Sequence, residues 1–337
     1  MVAAPVSLDG RIFTLDSRSQ VTAVSSAGAV LWSQDLTAIF DRTDDAAGGG
    51  LAVNGDQVFV TTGFGEIVAL NTATGAENWR HDLSSFGGAA PTVFDGLVYV
   101  ASRDGSAWAI HKDSGKIKWQ IAGPESTSNL IGGPGPAITK KWAIFPFATG
   151  ELMSTFRRGG LSNWTVVLSG QRTGAAAAAI DDITGGPIVV GSRIYVGNAA
   201  GRTAAMNLDD GSRIWTAEHG IQDAIAVAEN ALFVVDDENQ LVRISASSGA
   251  THWSVPLPRY KTDRVKRRKG IYAHFGPILA GGQLWVASAD KQLRAFSPET
   301  GALLRTIPLS DAATSRPIVV NNTLYVLTAD ARLSAFR

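Results

Sequence analysis

The run Asp236-Asp237-Glu238-Asn239 has the composition of a hard-cation site, with three carboxylates and an amide in four residues. It follows the apolar stretch Ala231–Asp236 at a place where a hairpin turn is expected, so a solvated turn is the better reading. The histidines His81, His111, His219, His252 and His274 are too scattered for metal-ligand spacing. The chain has no cysteine, which excludes disulfides, thiolate metal sites and cysteine nucleophiles. It also has no Gly-x-Ser-x-Gly elbow and no Walker sequence. No catalytic residue, metal ligand or cofactor is therefore assigned. The densest charge is Arg259–Lys269 (RYKTDRVKRRK), seven basic residues against Asp263. Arg264, Lys266, Arg267 and Arg268 in it suit a salt-sensitive contact with an acidic partner or anionic headgroups, or a solvated loop. Nucleic acid is disfavoured, because Lys+Arg and Asp+Glu balance at 30 each and only Tyr260 and Tyr272 are near for base stacking.

The elements that must position these residues come from a repeat. A glycine is followed four residues later by tryptophan at Gly28/Trp32, Gly75/Trp79, Gly115/Trp119, Gly160/Trp164, Gly211/Trp215 and Gly249/Trp253. A seventh copy pairs Gly301 with Arg305. Successive glycines lie 47, 40, 45, 51, 38 and 52 residues apart, which marks one supersecondary unit copied many times. Each unit holds a short run rich in β-branched and aromatic residues, such as Gln57–Thr62, Leu97–Ser102, Arg193–Asn198 and Thr323–Thr328, eight copies in all. Polar Gly/Asp/Asn turns separate the runs. Pro5, Pro91, Pro136, Pro187, Pro277 and Pro317 stand near the start of a first strand, where no ladder N–H is needed. Eight units of four antiparallel strands predict an all-β, eight-bladed β-propeller filling residues 1–337 as a single domain, with the tryptophans packed between blades. The last unit stops after Ala335-Phe336-Arg337 without a fourth strand. The expectation is that residues upstream of Met1 supply that strand, together with a signal and a lipid anchor.

NTATGAENW, HKDSGKIKW and NLDDGSRIW carry the signature of PQQ-like propeller repeats. Within that class the chain resembles the BamB family of outer-membrane assembly factors in blade count, in compact length and in three stretches. These are Asp182–Val190, RIYVGNAAGRTAAMNLDDGSRIW and ALFVVDDENQLVRISASSGATHW. The resemblance implies a non-enzymatic periplasmic scaffold at the outer membrane that binds the POTRA domains of a BamA-like protein, with no cofactor and as a monomer. Two other readings stay open: a quinone- and calcium-dependent dehydrogenase, and a ligand-sensing ectodomain. The first is weakened because dehydrogenases of this class usually cover the quinone with a disulfide, which a chain without cysteines cannot form.

The family's two docking connections fall on Ser128–Gly132, with Leu130 and Ile131, and on Asp182 and Thr184 ahead of the fifth blade. Ile131 stands where the family has arginine, and Thr184 where it has a second aspartate. The Ser169–Ile183 connection, with its alanine run, is expected to share this partner surface, and Arg157-Arg158 are expected to form a solvated blade turn.

Overall fold

The computed structural model describes residues 3–37, 48–83, 89–102, 104–123, 133–170, 182–262, 264 and 270–337. These form eight antiparallel sheets arranged as the blades of a propeller, and no helix occurs among them. Seven sheets have four strands. The eighth has three: β29 (Ile318–Val320), β30 (Thr323–Leu327) and β31 (Leu333–Phe336). Within each blade, strands that follow in sequence are neighbours in the sheet. Because direction alternates, the blade-to-blade connections and the turns between second and third strands share one face of the ring.

The repeat has a common register. Phe13, Ala23 and Trp32 lie side by side across the second, third and fourth strands of blade one. Phe59/Ala69/Trp79, Tyr99/Ala109/Trp119 and Tyr195/Ala205/Trp215 do the same in blades two, three and five. The small alanine lets the flanking rings meet across it, with centroids 5.8–6.0 Å apart. Such tilted pairs favour a fixed geometry over a sliding one.

Each tryptophan then reaches into the next blade. Its Nε1 donates to a turn carbonyl there, from Trp32 to Thr72, Trp79 to Lys112, Trp119 to Arg157, Trp164 to Leu208, Trp215 to Ala246 and Trp253 to Pro298, at 2.7–3.3 Å. The ring lies flat against the repeated glycine of that blade. A Cβ on Gly75, Gly115, Gly160, Gly211, Gly249 or Gly301 would stand 2.6–2.9 Å from a ring atom. These glycines also hold φ between 66° and 76°, a conformation costly for other residues. Contact and backbone thus both demand glycine.

An apolar cluster fills every joint between blades. The joint of blades one and two buries Phe13, Leu15, Val58 and Val60 among others, and that of blades five and six centres on Tyr195, Trp215 and Ile221. The joint closing the ring is smaller, with Ile12, Val320 and Tyr325 buried. There Tyr325 Oη donates to Ser26 O at 3.0 Å.

Four of the six prolines precede a first strand as expected. Pro187 and Pro277 instead lie inside β17 (Ile183–Val190) and β25 (His274–Ala280), where the ladder register breaks and no partner needs their N–H.

Trp215→Ala should lower unfolding free energy by about 3–5 kcal/mol, and Trp215→Phe should cost less, since a ring still covers Gly249. Gly249→Ala should destabilise without removing any contact. Tyr325→Phe should cost about 1 kcal/mol by leaving Ser26 O short of a donor. Denaturant midpoints and slopes for the four variants check the order.

Candidate functional site

The first strands of the blades surround a central channel of about 990 Å³. About half of its wall is glycine, alanine and proline. Its described charged residues are Asp182, Asp223 and Arg316. Small residues arise here because the innermost strands converge: a Cβ on Gly50 would strike Ala90, and one on Gly186 would strike Pro134.

Asp182 enters the channel wall just ahead of β17 and is buried, and its carbonyl accepts the N–H of Ala199 at 3.1 Å. Thr184, two residues on, is half-buried and donates its hydroxyl to the carbonyl of Ile221. Ile221 is fully buried and wedged against Gly185 and Gly197, where a Cβ on either would meet it within 2.7 Å. The sequence-predicted pair thus shares the channel mouth, with the Thr184 hydroxyl engaged inside the joint of blades five and six. Pro134, just past the other expected docking connection, packs on Gly186 of β17. Leu130 and Ile131 themselves lie outside the described residues.

Further round the same face, side chains tie one connection to the next. Gly220 N donates to Asp237 Oδ1 at 2.8 Å, Gln222 Nε2 to Asn239 Oδ1 at 3.1 Å, and Asn239 Nδ2 to Tyr272 O at 2.8 Å. Asp223 Oδ2 accepts the N–H of Gly276 at 2.8 Å, and its other oxygen lies 3.9 Å from Arg316 Nη1. Burial raises the Asp223 pKa, opposed by the Arg316 charge and the Gly276 N–H.

Two expected solvated turns are corrected. Asp236 is fully buried. One oxygen accepts the N–H groups of Glu238 and Gln240, and the other faces His219 Nδ1 at 3.0 Å. His219 Nε2 meets Thr251 Oγ1 at 2.9 Å, so the acidic run staples a connection, a turn and an outer strand together. Among the described residues no group of three or more His, Cys, Asp or Glu could hold a metal ion. Arg157 is buried too: its guanidinium donates to Asp95 at 2.8 Å and to the carbonyl of Lys140 at 3.2 Å, and lies over the Phe94 ring. Burying a cation requires such partners. Arg158 remains exposed.

The basic segment rises from an antiparallel stem. Tyr260 bridges Ile271, Lys261 N donates to Gly270 O, and Tyr272 N to Arg259 O. Arg264 is exposed on it, whereas Lys266, Arg267 and Arg268 lie outside the described residues. The stem is rooted by His274, which is buried. His274 Nε2 faces Pro258 O at 2.8 Å and so carries the proton, while Nδ1 accepts from Ser288 Oγ at 2.7 Å. Ser288 Oγ in turn accepts from Arg294 Nη1, which pairs with Asp290. The two bonds from Asp236 to its own turn recur at Asp16 and Asn198, the same place in their blades, whereas its tie to His219 crosses between a connection and a turn and has no local sequence signal.

The family model described as outer membrane protein assembly factor BamB matches residues 17–255 and 259–337. Curated relatives include the outer membrane protein assembly factor BamB of Moranella endobia, 26% identical over 91% of this chain and 80% of that protein. That of Yersinia pestis is 24% identical over 96% and 81%. Among solved structures, BamB from Moraxella catarrhalis superposes with a TM-score of 0.78 at 20% identity, covering 99% of this chain and 93% of that one. A quinohemoprotein alcohol dehydrogenase from Comamonas testosteroni gives 0.64 at 14% identity, covering 96% and 70%. The two structural likenesses speak for the fold alone.

Burial lowers the His274 pKa below its ordinary 6.5, assisted by the Arg294 charge and opposed by the Pro258 carbonyl and Asp290. A histidine depressed in the folded state contributes stability that is full above its unfolded pKa. That stability is lost as pH falls toward the folded value, because the unfolded chain then binds the extra proton. The melting temperature should therefore drop between about pH 7.5 and about pH 5. The drop should be smaller in His274→Asn, as read by thermal scans of both proteins at matched salt.

Proposed function

The chain belongs to the family of outer membrane protein assembly factor BamB, and from that premise we propose that it is a non-catalytic scaffold of β-barrel assembly on the periplasmic face of the outer membrane. It would hold the POTRA region of a BamA-like partner. The observation that carries this reading is the packing of Pro134, two residues past the expected Ser128–Gly132 connection, on Gly186, two residues past Thr184, in the channel wall. A ring whose blades are locked by tryptophan clasps presents such connections at fixed spacing. Preorganisation of that kind spares a complex the cost of ordering its loops on binding. A propeller face readily supplies the roughly 800 Å² per partner of a stable interface. The exposed Arg264 and the basic residues around it would act mainly on the association rate and its salt dependence.

Binding of the cognate BamA-like periplasmic region should be measured by calorimetry with Leu130→Ala, Ile131→Ala, Asp182→Ala and Thr184→Ala. A fifth variant changes Arg264, Lys266, Arg267 and Arg268 to glutamine together. Each docking variant that keeps its β-sheet spectrum should weaken binding about tenfold. The glutamine variant should flatten the salt dependence with a small change in affinity at high salt. Affinity that is unchanged in all five, or undetectable with the parent, would sink the docking reading. Quinone titration would then be the next measurement.

A further inference from the structure

The turns that join first to second strands, and third to fourth, leave each blade on the face opposite the connections. Charge is unevenly spread over that face, although Lys+Arg and Asp+Glu balance at 30 each in the chain. In blades one, two, six and seven these turns expose Asp9, Asp56, Glu77, Glu229 and Glu299. In blades three and four the exposed cations Lys116, Lys118, Lys140, Lys141 and Arg158 gather. The carboxylates on the turns of blades three to five are engaged. Asp95 takes the buried Arg157 at 2.8 Å, Asp113 pairs with Lys112 at 3.0 Å, and Asp209 accepts the indole N–H of Trp142 at 3.1 Å. Asp210 accepts the N–H of Ser212 at 2.8 Å. Among the described residues no carboxylate pairs with any of the five exposed cations. Large apolar side chains stand between them. Leu161 is 70% exposed, Ile117 43% and Phe156 39%. Ile117 lies between Lys116 and Lys118 at the start of an outer strand, and Leu161 follows Gly159-Gly160 just past Arg158. The fold holds this surface from below. Phe156 rests on Trp142 with ring centroids 4.7 Å apart, and Lys141 Nζ stands 4.2 Å from the centre of the same indole. Arg157 N donates to Lys141 O at 2.9 Å, which joins the two turns of blade four. The Arg157–Asp95 pair ties them to blade three, and the Trp142–Asp209 bond ties them to blade five.

We propose that this part of the face rests on an anionic phospholipid surface. Leu161, Phe156 and Ile117 enter the boundary between headgroups and acyl chains, and the five cations meet lipid phosphates. Apolar insertion and attraction to anionic headgroups add in such binding. Lysine and arginine stems lie along apolar surface while their charged ends stay with the phosphates. Each cation held near an anionic leaflet is worth about fivefold in affinity, and salt screens that gain away. The three apolar side chains stand on separate turns with cations among them. A fluid bilayer takes such side chains in one by one, whereas a folded protein partner would need a matching pocket for each. The choice of a bilayer over an acidic protein rests on the outer-membrane location proposed above. Lipid contact here leaves the opposite face, with Asp182 and Thr184, free for a protein partner at the same time.

Vesicle flotation tests it, with phosphatidylcholine containing phosphatidylglycerol and with phosphatidylcholine alone. The chain should float with the mixed vesicles, less so as salt rises, and should not float with phosphatidylcholine alone. Changing Lys140, Lys141 and Arg158 to glutamine together should weaken binding about tenfold or more. Leu161→Ser should weaken it about fivefold. Leu161→Trp should strengthen it, since tryptophan favours the membrane interface, and a damaged fold cannot imitate that gain. Leu161 serves the fold through its carbonyl, which accepts the N–H of Phe156 at 2.8 Å, so both variants should melt near the parent's temperature. The glutamine variant of Arg264, Lys266, Arg267 and Arg268 should float as the parent does. Absence of flotation with the mixed vesicles overturns the proposal. So does flotation that is lost in the Arg264 set and kept in the Lys140 set. Binding to soluble polyglutamate as strong as to vesicles, and indifferent to Leu161, would assign the face to an acidic polypeptide and overturn it as well. The Lys140 and Leu161 variants should keep their BamA-region affinity, so flotation and docking can fail independently.

Discussion

Everything in this molecule hangs on an indole ring lying against a glycine of the next blade. The contact is short enough that any side chain on the glycine would collide with it, and the indole N–H ends on a turn carbonyl three residues before that glycine. A large apolar surface is removed from water while its one polar atom stays satisfied, which is the condition for burying tryptophan at little cost. The same contact sets both the distance and the tilt between blades. Repeated at six of the eight joints, it sets how the inner strands converge and where the connections there emerge.

Against that uniform background the polar residues outside the repeat take on a second job. Thr184, Gln222, Asp223, Asp237 and Asn239 hand hydrogen bonds from one connection or turn to the next on a single face. Buried polar groups need partners, and here they find them across joints rather than within a blade. Such bonds stiffen the surface that carries the expected docking connections. Individuality in this chain is thus written in polar residues on one side of the ring, while the apolar repeat keeps the frame constant.

The frame was legible in the sequence because its signals are local and repeated. A glycine and a tryptophan four residues apart, an aromatic-rich second run and a polar turn all recur within a single unit. Blade count, the three-stranded last blade and the place of the tryptophans followed from them. The errors came where partners are distant. Arg157 sits in a turn that looks solvated, but its carboxylate partner, Asp95, is 62 residues away. Asp236 likewise depends on His219 of the preceding connection. Pro187 and Pro277 fell inside strands because register breaks depend on the pairing strand. The candidate site was readable only in outline: Asp182 and Thr184 line the channel, but the engagement of the Thr184 hydroxyl depends on Ile221, which no motif announces.

The contact that closes the ring joins residues 299 positions apart, whereas every other joint links neighbouring units. Loop entropy makes so distant a contact late, and topology makes it slow. A chain emerging from the ribosome would therefore grow as an open, curving stack. It would become a ring only after the residues around Tyr325 had appeared. Until then the face of blade one containing Ile12 would stay uncovered, and that interval is when a chaperone would have most to protect.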